Sequence, residues 1–354
     1  MTTVASFQIA FTRFIGPDGK PQGDLPDFAR DRAAMAGLYR WMVLARAFDA
    51  RAVSLQRTGR LGTFASSVGQ EAVAVGVAAA MTPGDVLLPS FREHGAQLVR
   101  GVAMTELFLY WGGDERGSDF AGPRRDFPVS IPVGSHAPHA AGVALALKLR
   151  GEANAAVAVF GDGATSKGDV YEAMNLAGAW ELPVVFVVNN NQWAISVPRR
   201  AQTAAQTLAQ KAIAAGFEGR QVDGNDIVAV RHAVAQALER ARGGGGPALV
   251  EALTYRLGDH TTVDDASRYR DDEEVGRHWK EEPVARARAF LTQAHGWSRA
   301  EEEALIAACQ AEVDAAARDY LATPPEEPGA VFDWLYEELP TAYARQRAAM
   351  LAGD

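Results

Sequence analysis

Between Asp31 and Gly59 the apolar residues Met35, Leu38, Met42, Ala45, Phe48, Ala52 and Leu55 recur at intervals of three and four, the spacing of one helical face. The pattern predicts a long core helix ended by Gly59. Four shorter runs are apolar almost without a break: Val86 to Pro89, Ala155 to Phe160, Val184 to Val188 and Ala248 to Leu253. A strand reads this way when both faces of its sheet are covered. Helix-like stretches separate the four runs, so the chain predicts an α/β fold: a mainly parallel sheet with helices on both faces. Gly243 to Gly246 followed by Pro247 reads as a turn between a helix and the last strand.

The ends of the chain read differently. Residues 1–30 are rich in glycine and proline and read as an arm that wraps another part or stays loose. Residues 31–265 form the α/β domain. After Asp264 comes dense mixed charge, RYRDDEEVGRHWKEEP, and then two helical stretches, the second opening with Ser298 and Glu301 at the spacing of a capping box. Residues 266–354 therefore read as a C-terminal helical extension of the same domain.

Composition narrows the function classes. With 35 Lys and Arg against 44 Asp and Glu, the formal charge is −9, which argues against the broad positive field of a nucleic-acid binder. A local basic pocket for an anion stays open. Cys309 is the single cysteine, so neither an intrachain disulfide nor a cysteine zinc cluster forms, and its helical surroundings read as a buried thiol. No apolar run approaches the roughly 18 residues of a membrane span, and the first residues lack the pattern of a signal peptide. The expected location is the cytoplasm.

The chemistry concentrates in AAVAVFGDGATSKGDVYEAMNLAGAWELPVVFVVNNNQW, from Ala155 to Trp193. It reads as strand, glycine turn, helix, strand and polar end. Gly161 and Gly163 suit a tight turn at the carboxyl end of the first strand, where backbone approaches a ligand and the next helix offers free N–H groups to an anion. Asp162 is then aimed into the crevice. Asn191 follows 29 positions later, at the end of the neighbouring strand. A carboxylate and an amide beside a phosphate-binding turn suit a hard cation such as magnesium bridging a diphosphate. The spacing to Gly168 does not fit the dinucleotide fingerprint, and no P-loop motif is present.

GDG followed at this distance by NN resembles the thiamine diphosphate and magnesium motif of the transketolase-like enzymes. The stretches LGTFASSVGQEAV, SFREHGAQLVRG, TLAQKAIAAGFEGRQVDGNDIVAV, TYRLGDHTTVDDASRYR and VFDWLYEELP resemble successive segments of the alpha subunits of 2-oxo acid dehydrogenases, over roughly residues 30–345. The resemblance implies a thiamine-diphosphate-binding fold. It implies that Asp162, Asn191 and the carbonyl of Trp193 hold Mg2+, and that Gly163 and Ala164 donate backbone N–H groups to the diphosphate. Phe91 and Arg92 fall on the family's Tyr-Arg pair, with Arg92 on phosphate and the tyrosine hydroxyl lost. His260 falls on the catalytic loop histidine, beside the diphosphate, where an imidazole gains positive character; the preceding Asp259 is expected to alter its pKa. Ile131 and Val133 fall on the stretch that holds the aminopyrimidine. His136 and His139 read either as substrate-channel groups or as helix-capping structure.

The implied reaction is oxidative decarboxylation of pyruvate with acyl transfer to the lipoyl domain of a dihydrolipoyl acyltransferase; a branched-chain 2-oxo acid is the alternative substrate. The activating glutamate is expected from a beta subunit, in an α2β2 assembly. Two readings from other classes are a non-catalytic subunit of such a complex and a dinucleotide-dependent dehydrogenase.

Overall fold

A computed structural model describes residues 1–333 and 335–353; Trp334, within the last of the stretches quoted above, lies outside them. The strands are β1 (Phe11–Thr12), β2 (Val86–Leu88), β3 (Ala156–Gly161), β4 (Val184–Asn190), β5 (Trp193–Ala194), β6 (Val197–Pro198), β7 (Glu218–Asp223) and β8 (Ala248–Leu253). Six of them form one parallel sheet in the order β1-β7-β8-β4-β3-β2, and β5 and β6 form a short antiparallel hairpin.

Every residue of β4 is buried, as the unbroken apolar run predicts, and side chains of opposite parity serve opposite layers. Ala156, Ala158, Phe160, Val184, Phe186 and Val188 pack against the helices His136–Arg150 and Gly168–Ala179. Val157, Val159, Val185, Val187 and Val250 pack against the helices Glu71–Ala80 and Ile227–Arg242. Each Val or Phe so buried contributes about 1.5–3 kcal/mol. Alanine and glycine on these helices permit close approach: a Cβ on Gly76 would lie 2.8 Å from a Val230 methyl.

The long helix spans Arg32–Arg57, with Asp31 accepting from the Ala33 and Ala34 amides. Its Met35, Tyr39, Met42 and Phe48 share a core with Phe290, Leu291, Cys309 and Val313 of the C-terminal helices Pro283–His295 and Arg299–Ala322. The Ser298–Glu301 capping box forms as predicted, and Cys309 is buried. Two further helices, Asp272–Trp279 and Thr341–Ala352, extend the two-helix expectation.

The arm wraps. β1 adds to the edge of β7; the Phe14 and Ile15 amides donate to Asp226 Oδ2 at 2.6 and 2.8 Å, and Arg13 pairs with Asp223 at 2.6 Å. Sequence reading did not find β7, because four of the six residues of EGRQVD are polar: its only outer neighbour is the two-residue β1, so part of it stays accessible. Among the described residues no helix is long and apolar enough to cross a membrane.

Candidate active site

β3 and β4 pair in parallel with Gly161 opposite Asn189, which brings the glycine turn and the asparagine run together at the carboxyl ends of the strands. A cavity of about 590 Å³ opens there. Its walls include Phe91, Arg92, Ile131, Val133, Asp162, Gly163, Ala164, Asn191, Trp193 and His260, every residue that the resemblance assigns to cofactor, cation or catalysis. His136 also lines it, whereas His139 is exposed and lies against Phe127.

The local backbone differs from the expectation in one respect. Asp162–Ser166 is a 3-10 turn, and the α-helix begins only at Gly168. Neither Gly161 nor Gly163 adopts positive φ. Their smallness matters for space instead. A Cβ on Gly163 would lie 2.7 Å from the Ala194 Cβ, whereas one on Gly161 would meet nothing within 4 Å and would project into free room. Strain sits across the cavity, where Gln192 and Ile195 take φ of 72° and 53° around the hairpin.

Strand alternation sorts the three asparagines. Asn189 and Asn191 line the cavity, while the Asn190 side chain goes the other way and donates to Glu251 at 2.7 Å. Asn191 Nδ2 donates to Gln70 Oε1 at 2.9 Å, and Asn191 Oδ1 accepts from the Trp193 amide at 3.2 Å. Asp162 is 2% exposed, and Gln202 donates to its Oδ2 at 3.1 Å. Burial pushes the Asp162 carboxyl up to about 6, against the lowering effect of that hydrogen bond. Gln70, Asn189 and Gln202 escaped the sequence reading. Each is remote from the glycine turn or carries no motif of its own.

Arg92 is buried. It donates to the Ser66 carbonyl and the His260 carbonyl, the latter at 2.7 Å, and its Nη2 lies 2.9 Å from His260 Nδ1. Burial, then the nearby Arg256 charge, pushes its guanidinium down to about 10. Arg256, also missed, lies 3.4 Å from His260 Nδ1 on the other side. Burial and these two cations push His260 down to about 4, so its imidazole is neutral at pH 7 in the protein alone. The acidic neighbour of His260 is Asp264, which accepts from the His260 amide at 2.8 Å and from the Tyr269 hydroxyl. Asp259, expected in that role, instead accepts from the Ala266 amide at 3.0 Å and holds the loop. Phe91 stands edge-on to His260, ring centres 6.1 Å apart.

Buried polar atoms normally find partners. Here Asp162 Oδ1, Asn189 Oδ1, Gln70 Nε2 and His136 Nδ1 have none among the described residues, and all four residues line the one cavity. His136 Nε2 is engaged by the Val159 carbonyl at 2.8 Å, which leaves Nδ1 as an acceptor. Oxygen acceptors, amide donors and a buried guanidinium in one wall suit a ligand carrying both an anion and a hard cation.

Residues 39–328 match the family described as Dehydrogenase E1 component. The chain is 41% identical over 347 residues to 3-methyl-2-oxobutanoate dehydrogenase subunit alpha of Mycobacterium tuberculosis, covering 96% of this chain and 93% of that one. It is 39% identical over 323 residues to pyruvate dehydrogenase E1 component subunit alpha of Staphylococcus aureus, covering 91% and 87%. A protein of the same description from Acholeplasma laidlawii is 43% identical over 278 residues, covering 78% and 81%. The chain belongs to the dehydrogenase E1 component family, among the alpha subunits of 2-oxo acid dehydrogenases.

Proposed function

We propose that this chain is the alpha subunit of a pyruvate dehydrogenase that binds thiamine diphosphate and Mg2+. The observation that carries the reading is the set of partnerless buried atoms around Asp162, Asn189 and Gln70, facing a guanidinium, Arg92, that has no carboxylate hydrogen-bonded to it among the described residues. A diphosphate and a divalent cation would supply the donors and acceptors that these atoms lack. Asp162, Asn191 and the Trp193 carbonyl would hold the cation. The Gly163 and Ala164 amides and Arg92 would hold the diphosphate, and Ile131 and Val133 would flank the pyrimidine at the cavity mouth.

When bound, thiamine diphosphate supplies the electron sink for decarboxylating a 2-oxo acid. The protein's share is positioning and proton control. Buried Arg92 orients the His260 ring through Nδ1 and fixes its loop through the carbonyl. His260 then presents Nε2 for a proton held at the reacting carboxylate or carbonyl. Burial, Arg92 and Arg256 hold His260 down to about 4 in the protein alone, and an anion held by the two arginines would offset their charge and raise it toward the working range of a general acid.

The glutamate that activates the thiazolium is assigned to a beta subunit, in an α2β2 heterotetramer of the cytoplasm. The half-exposed Ile131, Val133 and Ile195 at the cavity mouth support a partner there, since apolar side chains of this size favour cover. The acyl acceptor is the lipoyl domain of a dihydrolipoyl acyltransferase. A branched-chain 2-oxo acid is the second reading of the substrate, favoured by the 41% identity to the mycobacterial relative over nearly the whole chain. Calorimetric titration of the αβ assembly tests the cofactor: binding of thiamine diphosphate only with Mg2+ supports the proposal, and binding of a nicotinamide dinucleotide instead sinks it.

A further inference from the structure

Two ionisable side chains just outside the cavity are buried without an oppositely charged partner among the described residues. Glu251, on β8, is fully buried. Its Oε1 accepts from Asn190 Nδ2 at 2.7 Å; its Oε2 accepts from the Leu208 and Ala209 amides at 2.8 and 2.9 Å and from Gln221 Nε2 at 3.0 Å. Lys211 is 7% exposed, and its Nζ donates to the Thr165 carbonyl at 2.7 Å and to Thr165 Oγ1 at 3.0 Å. The Thr165 hydroxyl donates in turn to the Asp162 carbonyl at 2.7 Å.

Burying a charge is costly even when it is hydrogen-bonded, and apolar residues of similar size often fill such space with no loss of stability. What these two charges hold therefore explains them better than packing does. Glu251 anchors Asn190, the residue before Asn191, and also the backbone at Leu208 and Ala209. Lys211 follows on that same segment and reaches across to the turn that carries Asp162. Hydrogen bonds linked through the backbone of residues 208–211 thus join the end of β4 to the turn after β3, from behind the cavity wall. They run through TLAQKAIAAG, a segment that contributes none of the cavity lining.

We propose that Glu251 and Lys211 are positioning residues, a buried brace that fixes the separation of Asp162 and Asn191 so that one divalent cation meets both. The proposal rests on the cofactor reading above. The brace acts on assembly of the cation site and not on the chemical step, so its loss shows in cofactor affinity and spares turnover at saturation.

The test is calorimetric titration of the αβ assembly with thiamine diphosphate at fixed Mg2+, and the reverse, with steady-state decarboxylation followed over the same concentrations. Lys211→Met and Glu251→Gln are expected to raise Kd, and with it the apparent KM, for thiamine diphosphate and for Mg2+ about tenfold, with kcat at saturation within about threefold of the parent. Lys211→Arg, which keeps the charge and the donors, is expected to recover most of the affinity. Thr165→Val removes only the linking hydroxyl and serves if a larger change blocks assembly; it is expected to raise KM about threefold. Unchanged Kd values, or a lost kcat at unchanged KM, overturn the brace. A parent assembly that turns over without thiamine diphosphate overturns the functional reading instead.

Discussion

His260 Nδ1 lies 2.9 Å from Arg92 Nη2, and the same guanidinium nitrogen holds the His260 carbonyl at 2.7 Å. One arginine therefore sets both the ring and the loop that carries it, and its positive charge opposes protonation of that ring. In the ligand-free chain His260 is expected to titrate near 4, followed by histidine NMR. Arg92→Met removes one of the cations that lower it, so the midpoint should move upward. A depressed folded-state value means the unfolded chain takes up this proton first. The contribution of His260 to stability is therefore complete above about 6.5 and is lost as pH falls from there toward 4. A midpoint that stays put in Arg92→Met would show that burial and Arg256, and not Arg92, set it.

Asp162 and Asn191 should separate binding from folding. Asp162→Ala removes a buried carboxylate whose Oδ1 has no partner, so the cofactor-free Tm should hold or rise. In the parent, a ligand at about 100 times its Kd stabilises by about 2.7 kcal/mol. That Mg2+-dependent gain should vanish in Asp162→Ala and in Asn191→Ala, read by thermal melts with and without thiamine diphosphate. Retention of the full gain in both variants would remove them from the cation site.

The two glycines of the turn predict opposite behaviour in the same melt. Gly163→Ala forces a Cβ to 2.7 Å from Ala194 and should cost about 1–3 kcal/mol, with weaker cofactor binding as the hairpin shifts. Gly161→Ala meets nothing and should leave the cofactor-free Tm nearly unchanged.

The helices Pro283–His295 and Arg299–Ala322 share their core with the long helix at Arg32–Arg57, so they should not melt separately. Phe290→Ala, at a fully buried position, should lower stability by about 3–5 kcal/mol within one cooperative transition. Two resolved transitions in denaturant would contradict the shared core.

Asp162 and Asn191 were legible because a glycine turn and a paired asparagine stand at the ends of two unmistakably apolar strands. Gln70 and Gln202 were not: each reaches Asp162 or Asn191 from a distant part of the chain, and neither residue type carries a signal without its contact. Asp259 was misread for the same reason. Adjacency in sequence suggested that it faces His260, but the loop turns back and delivers Asp264. β7 stayed hidden because its outer neighbour is only two residues long, so its pattern mixes polar with apolar positions.

The most direct test is decarboxylation by this chain assembled with its beta subunit, with pyruvate and 3-methyl-2-oxobutanoate in parallel, each with and without thiamine diphosphate and Mg2+. Turnover that requires both cofactors and favours pyruvate is the predicted result. Preference for the branched acid would transfer the assignment to the second substrate reading, and no cofactor-dependent turnover of either acid would contradict the account.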